Sequence, residues 1–224
     1  MILVINVKIS KVINVDKKVE PKIILIDPGH GGIDGGAVSK NGTVEKHINL
    51  KISLKLRDEL NKKGYKTVMT REEDKGLYSD KGSIRNKKVE DLNNRCKLKE
   101  SSKCDMFISI HLNKFQQSKY YGAQVWYSKN IDSKKLAEIT QKNLIDHLNN
   151  GNTRKCKPAK DLYKVLRCYD KIPSILIECG FLTNPQEEQK LKSSKFQDDI
   201  AKSIAKSIEE YFNFQEKISD LNED

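Results

Sequence analysis

His30, Glu45, His111 and Glu178 stand in four well-separated segments of a 224-residue chain: IDPGHGGIDGGA, GTVEKHINL, MFISIHLNK and SILIECGFLTN. Two imidazoles and two carboxylates can build a catalytic zinc site, which needs three nitrogen or oxygen ligands from the protein and a nearby carboxylate to carry protons. His30, Glu45 and His111 suit the ligand roles for one ion, and Glu178 suits proton transfer. His47 competes with Glu45, because positions i and i+2 of a helix face different sides and only one of the two can reach the ion. The residues by themselves leave that choice open. Gly31, Gly32, Gly35 and Gly36 allow the loop around His30 to wrap a metal or a sugar closely. A phosphate-binding loop is the rival reading, but neither GxGxxG nor GxxxxGK[ST] is present.

These side chains need a scaffold that brings them together. The apolar run from Lys22 to Ile26 reads as a buried strand that stops at Asp27-Pro28-Gly29, and Met106 to Ile110 and Ser174 to Ile177 read the same way, ending at His111 and Glu178. Ile48, Ile52, Leu56 and Leu60 recur every fourth residue and predict a helix that Gly64 terminates. Tyr65 to Thr70 and Gly122 to Tyr127 are further strands, and Leu162 to Leu166 reads as a short edge strand. Residues 78–90 read as a polar loop before a helix through Leu92, Arg95 and Leu98. Leu136 to Ile145 predicts another helix, in which His147 faces solvent, and the stretch from Gln186 to Phe214 predicts the last. The alternation implies an α/β fold, a single domain whose twisted, mainly parallel sheet carries helices on both faces. Ligand sites in such sheets collect beyond the carboxyl ends of the strands, where His30, His111 and Glu178 are expected.

Composition narrows the function classes. Charged residues make up 33% of the chain, which favours a soluble globular protein over a membrane-embedded one. Lys and Arg outnumber Asp and Glu by 42 to 31, for a net charge of +11. That excess suits polyanionic surroundings such as nucleic acid, anionic lipid or an acidic cell wall, or simply a solvated Lys-rich surface, and does not by itself name a partner. The lysines are scattered, with no basic block interleaved with aromatics, so a nucleic-acid partner is not expected. Cys96, Cys104, Cys156, Cys168 and Cys179 include no CxxC pair, and free, mostly buried thiols are expected. The apolar opening MILVINVKISKVINV is interrupted by Lys8 and Lys11 too early for a spanning helix, and lacks a complete signal-peptide pattern. It reads equally as an extra strand or as the remnant of an export signal.

The four segments, in this order, together with TVMTR, LNNRCKLKESSKCDMFISIHLN and ECGFLTNPQEE, resemble the type 3 family of zinc-dependent N-acetylmuramoyl-L-alanine amidases from about Lys22 to Phe214. Within it, PAKDLYKVLRCYDKIPSILIECGFLTN is similar to the spore-cortex, CwlD-like amidases of endospore formers. The resemblance implies that His30, Glu45 and His111 hold one Zn2+, which decides for Glu45 over His47, and that Glu178 is the catalytic glutamate. The bond cleaved would be the amide between muramic acid and L-alanine of peptidoglycan, in spore-cortex maturation, outside the cytoplasm at the wall or spore envelope. Residues 22–214 would form the catalytic domain, residues 1–21 an N-terminal extension and residues 215–224 a polar tail. Only Lys114 to Tyr121 follows the second histidine motif before the next strand, too little for the long regulatory helix that some members insert there. His47 stands where an acidic residue is more usual. Arg71 or Arg95 could clamp a substrate carboxylate or form structural ion pairs instead, and Asn113 could hydrogen-bond substrate. A protein partner could activate the enzyme. The alternative function is a wall-binding or partner-dependent protein of this fold with little activity alone.

Overall fold

The apolar runs do become the centre of a sheet. In the computed structural model, which describes residues 20–148 and 151–221, six strands are ordered β2-β1-β3-β6-β4-β5. They are β1 (Ile23–Pro28), β2 (Lys66–Met69), β3 (Met106–Asn113), β4 (Gln124–Tyr127), β5 (Lys157–Pro158) and β6 (Ser174–Phe181). β1 runs parallel to β2 and β3, β3 runs parallel to β6, and β4 is antiparallel to β6. The expected mainly parallel α/β sheet is what forms. The expected N-terminal strand or signal remnant lies outside the described residues.

Strand alternation divides the side chains between two unlike faces. Ile24, Ile26, Ile108, Ile110, Ile175 and Ile177 form one fully buried face. It packs against α1 (Glu45–Lys62), α3 (Ile131–Leu148) and α6 (Ser194–Leu221). Each such isoleucine contributes about 1.5–3 kcal/mol by leaving water. On the other face Leu25, Phe107 and Leu176 meet Leu98 of α2 (Ile84–Ser101) and Val165 and Leu166 of α4 (Lys164–Arg167). Beyond them this face turns polar, with buried Asp27, Ser109 and Glu178.

Several boundaries differ from expectation for identifiable reasons. The second half of the loop expected over residues 78–90 is helical, because α2 starts at Ile84, where the Ser83 hydroxyl caps the Asn86 N–H. Its inward positions Asp91, Arg95 and Lys99 are charged, so it shows no apolar stripe. The edge strand expected over Leu162 to Leu166 is instead the short helix α4, and the edge is formed by β5. The last helical stretch is two helices, α5 (Pro185–Lys192) and α6, separated at Ser193. α6 continues to Leu221, so most of the expected polar tail is helical. Cys96 and Cys168 are not free thiols: they form a disulfide joining α2 to the residue after α4, while Cys104, Cys156 and Cys179 are free.

Candidate metal and active site

The loop after β1 is built to present one imidazole. His30 has a left-handed backbone, φ 63°, an uncommon conformation for a residue with a Cβ. Arg71 and Arg95 hold it there from below. Arg71 donates Nε to the carbonyls of Pro28 and His30 and Nη2 to those of Gly29 and Lys46. Arg95 donates to the carbonyls of Pro28 and His30 and pairs with Asp27 and Asp91. Both guanidiniums are almost fully buried, and burial lowers the Arg71 pKa to about 10. As candidate substrate clamps they are misplaced, because their donors bond to protein: Arg95 forms the ion pairs of the structural alternative, whereas Arg71 bonds to backbone carbonyls and forms no ion pair among the described residues.

α1 begins against the same loop, because its first N–H groups, on Glu45 and Lys46, donate to the carbonyls of Ala37 and Gly35. That contact turns the buried Glu45 carboxylate inward. Its Oε1 lies 3.3 Å from His30 Nε2 and 3.1 Å from His111 Nδ1, and accepts from the Leu112 N–H and from Asn49. Its Oε2 accepts the Ala37 N–H at 2.7 Å. One glycine is indispensable to this approach: a Cβ at Gly29 would stand 2.3 Å from the His111 ring.

His30, Glu45 and His111 offer ligand atoms that all lie within 4.8 Å of one another. Asp34 adds what the sequence reading missed, by bonding His30 Nδ1 at 2.8 Å. That leaves Nε2 to face Glu45, the orientation that carboxylate partners impose on metal-binding histidines. Burial works against a charged His30, but its bonds to Asp34 and Glu45 outweigh burial and raise its pKa to about 9. For Glu45, burial favours the acid form, yet the two histidines hold its carboxyl far below the usual range. A compact cluster of two imidazoles around an ionised carboxylate fits a divalent cation of the zinc class. His47 is not part of it: it is half exposed and 3.9 Å from Asp74.

His111 and Glu178 do not end their strands, as the sequence reading expected, but face each other in register across the parallel pair β3 and β6, and therefore share one face. Glu178 is buried, and desolvation raises its pKa to about 7 against the pull of His111. Tyr163, another residue the sequence reading missed, donates its hydroxyl to Glu178 Oε1 at 3.3 Å. Glu178 Oε2 is buried without a partner among the described residues. A cavity of about 240 Å³ opens over this face, lined by His30, His111, Leu92, Leu162 and Tyr163. Asn113, the remaining candidate substrate contact, is half-buried beside Phe181, its partner on β6.

Comparison with known proteins gives a consistent picture. The sequence profile of the N-acetylmuramoyl-L-alanine amidase family matches residues 24–210. The germination-specific N-acetylmuramoyl-L-alanine amidase of Bacillus subtilis is 43% identical over 194 residues, covering 85% of this chain and 80% of that protein. The CwlD amidase of Clostridioides difficile, solved in complex with the GerS lipoprotein, superposes with a TM-score of 0.83 at 44% identity, over 86% of this chain and 99% of that one. The catalytic domain of the CwlV amidase from Bacillus (Paenibacillus) polymyxa gives a TM-score of 0.74 at 30% identity, over 86% of this chain and 98% of that domain.

Proposed function

This chain belongs to the N-acetylmuramoyl-L-alanine amidase family, and from that premise we propose that it hydrolyses the amide between N-acetylmuramic acid and L-alanine in spore-cortex peptidoglycan. The observation that carries the reading is the cluster of His30, Glu45 and His111 with Glu178 in register on the adjoining strand. The two histidines and Glu45 would hold Zn2+, which when bound would supply a Lewis acid that polarises the amide carbonyl and acidifies water to a pKa of about 7.

The chain's own residues do the rest. Asp34 fixes the His30 ring, and Asn49 with the Leu112 N–H fixes the Glu45 carboxylate, so the ligand set is aligned without rearrangement. Glu178 Oε2, with no partner among the described residues, takes the proton of the attacking water and returns it to the departing L-alanine nitrogen. A pKa of about 7 suits both halves of that transfer, because the group accepts and gives up a proton near neutral pH. Tyr163 holds Glu178 Oε1 in place. Asn113 is proposed to touch substrate at the edge of the site. Residues 22–214 are proposed as the catalytic unit.

The enzyme is proposed to work outside the cytoplasm, at the wall or spore envelope. Its disulfide supports this, since such bonds persist in oxidising compartments. Among the described residues no helix is long and apolar enough to cross a membrane. A protein partner, of the kind bound to the C. difficile relative, belongs to the same proposal. The test is mass spectrometry of cortex peptidoglycan digested with zinc-loaded protein. Muramic acid freed of peptide, with intact stem peptides released, is the expected result; cleavage of a glycosidic or peptide–peptide bond instead would refute the reading.

A further inference from the structure

The substrate has a glycan half and a peptide half, and the residues described so far act on the bond between them. What grips the peptide is unassigned once Arg71 and Arg95 are found bonded to protein. Another guanidinium stands on the same rim. Arg154 precedes β5 on the side where β4 begins, and its Nη1 donates to Gln124 Oε1 at 3.2 Å. Gln124 is the register partner of Glu178 in the antiparallel pair β4 and β6, so Arg154 is one side chain away from the proton carrier. Its guanidinium also lies 4.6 Å from the centroid of Phe181, and Phe181 pairs with Asn113, two residues beyond His111.

The group is braced and only half used. It lies over the Phe181 ring, with Tyr120 at 6.0 Å, and Nε is anchored on the Tyr121 carbonyl at 2.8 Å. Among the described residues none accepts from Nη2, and no carboxylate forms an ion pair with Arg154. The acid that feels its charge is Glu187, but both Glu187 oxygens accept backbone N–H groups, from Gly122 and Phe181. A half-buried, braced guanidinium with a free edge is preorganised for a carboxylate, because its planar fork loses little freedom on binding one.

We propose that Arg154 is a specificity-determining residue that binds a carboxylate on the peptide side of the scissile amide. The proposal rests on the amidase reading above. A residue serving only as a strut would need no more than the bonds to Tyr121 and Gln124, and would not distinguish substrates by charge.

The test compares muropeptides from cortex peptidoglycan with the same material after its carboxyl groups have been amidated. Wild-type zinc-loaded protein should show a kcat/KM roughly 10- to 100-fold higher on the unmodified substrate, the factor expected for a charge-assisted hydrogen bond. Arg154→Gln should lose that factor on the unmodified substrate through KM, keep its zinc content and match wild type on the amidated one. Equal use of both substrates by wild type would overturn the proposal while leaving the amidase reading intact, and needs no variant. An Arg154→Gln protein equally impaired on both would overturn it too, in favour of the strut. Wild type inert on both would instead remove the amidase reading and this proposal with it.

Discussion

Glu178→Gln in zinc-stripped protein isolates the cost of keeping a carboxylate in a dry site. The unfolded residue ionises near 4.5, whereas in the fold burial holds its proton until about pH 7. Between those values the folded state binds more protons than the unfolded one, so stability falls as pH rises through the window. With one pKa unit worth about 1.36 kcal/mol, integration from about pH 5 to about pH 8 gives a loss of about 2.5 kcal/mol from this group alone. Glutamine keeps the shape and has nothing to ionise. Urea unfolding of both proteins in the presence of chelator, at the two ends of that range, should show wild type losing about 2.5 kcal/mol more than the variant. With zinc restored, the variant should bind the ion and lose peptide release by at least about a hundredfold. If the two proteins respond identically to pH, Glu178 ionises as it would in water, and the argument for a desolvated proton carrier is wrong.

Gly29→Ala should push the His111 ring off the cluster, since the added carbon would stand 2.3 Å from it; zinc affinity measured by chelator competition should fall at least about tenfold, and unchanged affinity would count against the packing described. Arg95→Met leaves Asp27 and Asp91 buried without their cation and should cost about 3–5 kcal/mol in urea unfolding; a shift under about 1 kcal/mol would show the pair to be weak. Cys96→Ser opens a bridge spanning 72 residues and should lower stability by about 2–4 kcal/mol, readable as a fall in the urea midpoint that dithiothreitol reproduces in wild type.

The parts of the fold carried by apolar side chains were legible in the sequence, and the parts carried by charge were not. Ile24, Ile108 and Ile175 announce central strands because both faces of the sheet are covered. α2 is read from Leu92, Arg95 and Leu98 but its first turns hide, because its inward positions are Asp91, Arg95 and Lys99, whose partners include Asp27 and the carbonyls of Val165 and Cys168 on distant segments. The same reason disguised Arg71 and Arg95 as substrate contacts. Asp34 left a readable trace, four residues after His30 in a glycine-rich loop, but the chemistry of its bond shows only once the loop is folded. Tyr163 and Arg154 left none, since their partners Glu178 and Gln124 lie on strands that neither residue belongs to. The Cys96–Cys168 pairing likewise depends on α2 and α4 meeting over the sheet.

The grip of two arginines on successive carbonyls of the first ligand loop has a consequence for how this protein would behave when its cofactor is withdrawn. In domains that owe their shape to an ion, a chelator is a denaturant. Here the scaffold is fastened from beneath by guanidiniums, through contacts in which no ligand side chain takes part. Removing the ion should therefore silence the protein without melting it, and readmission should restore function at the speed of binding rather than of folding.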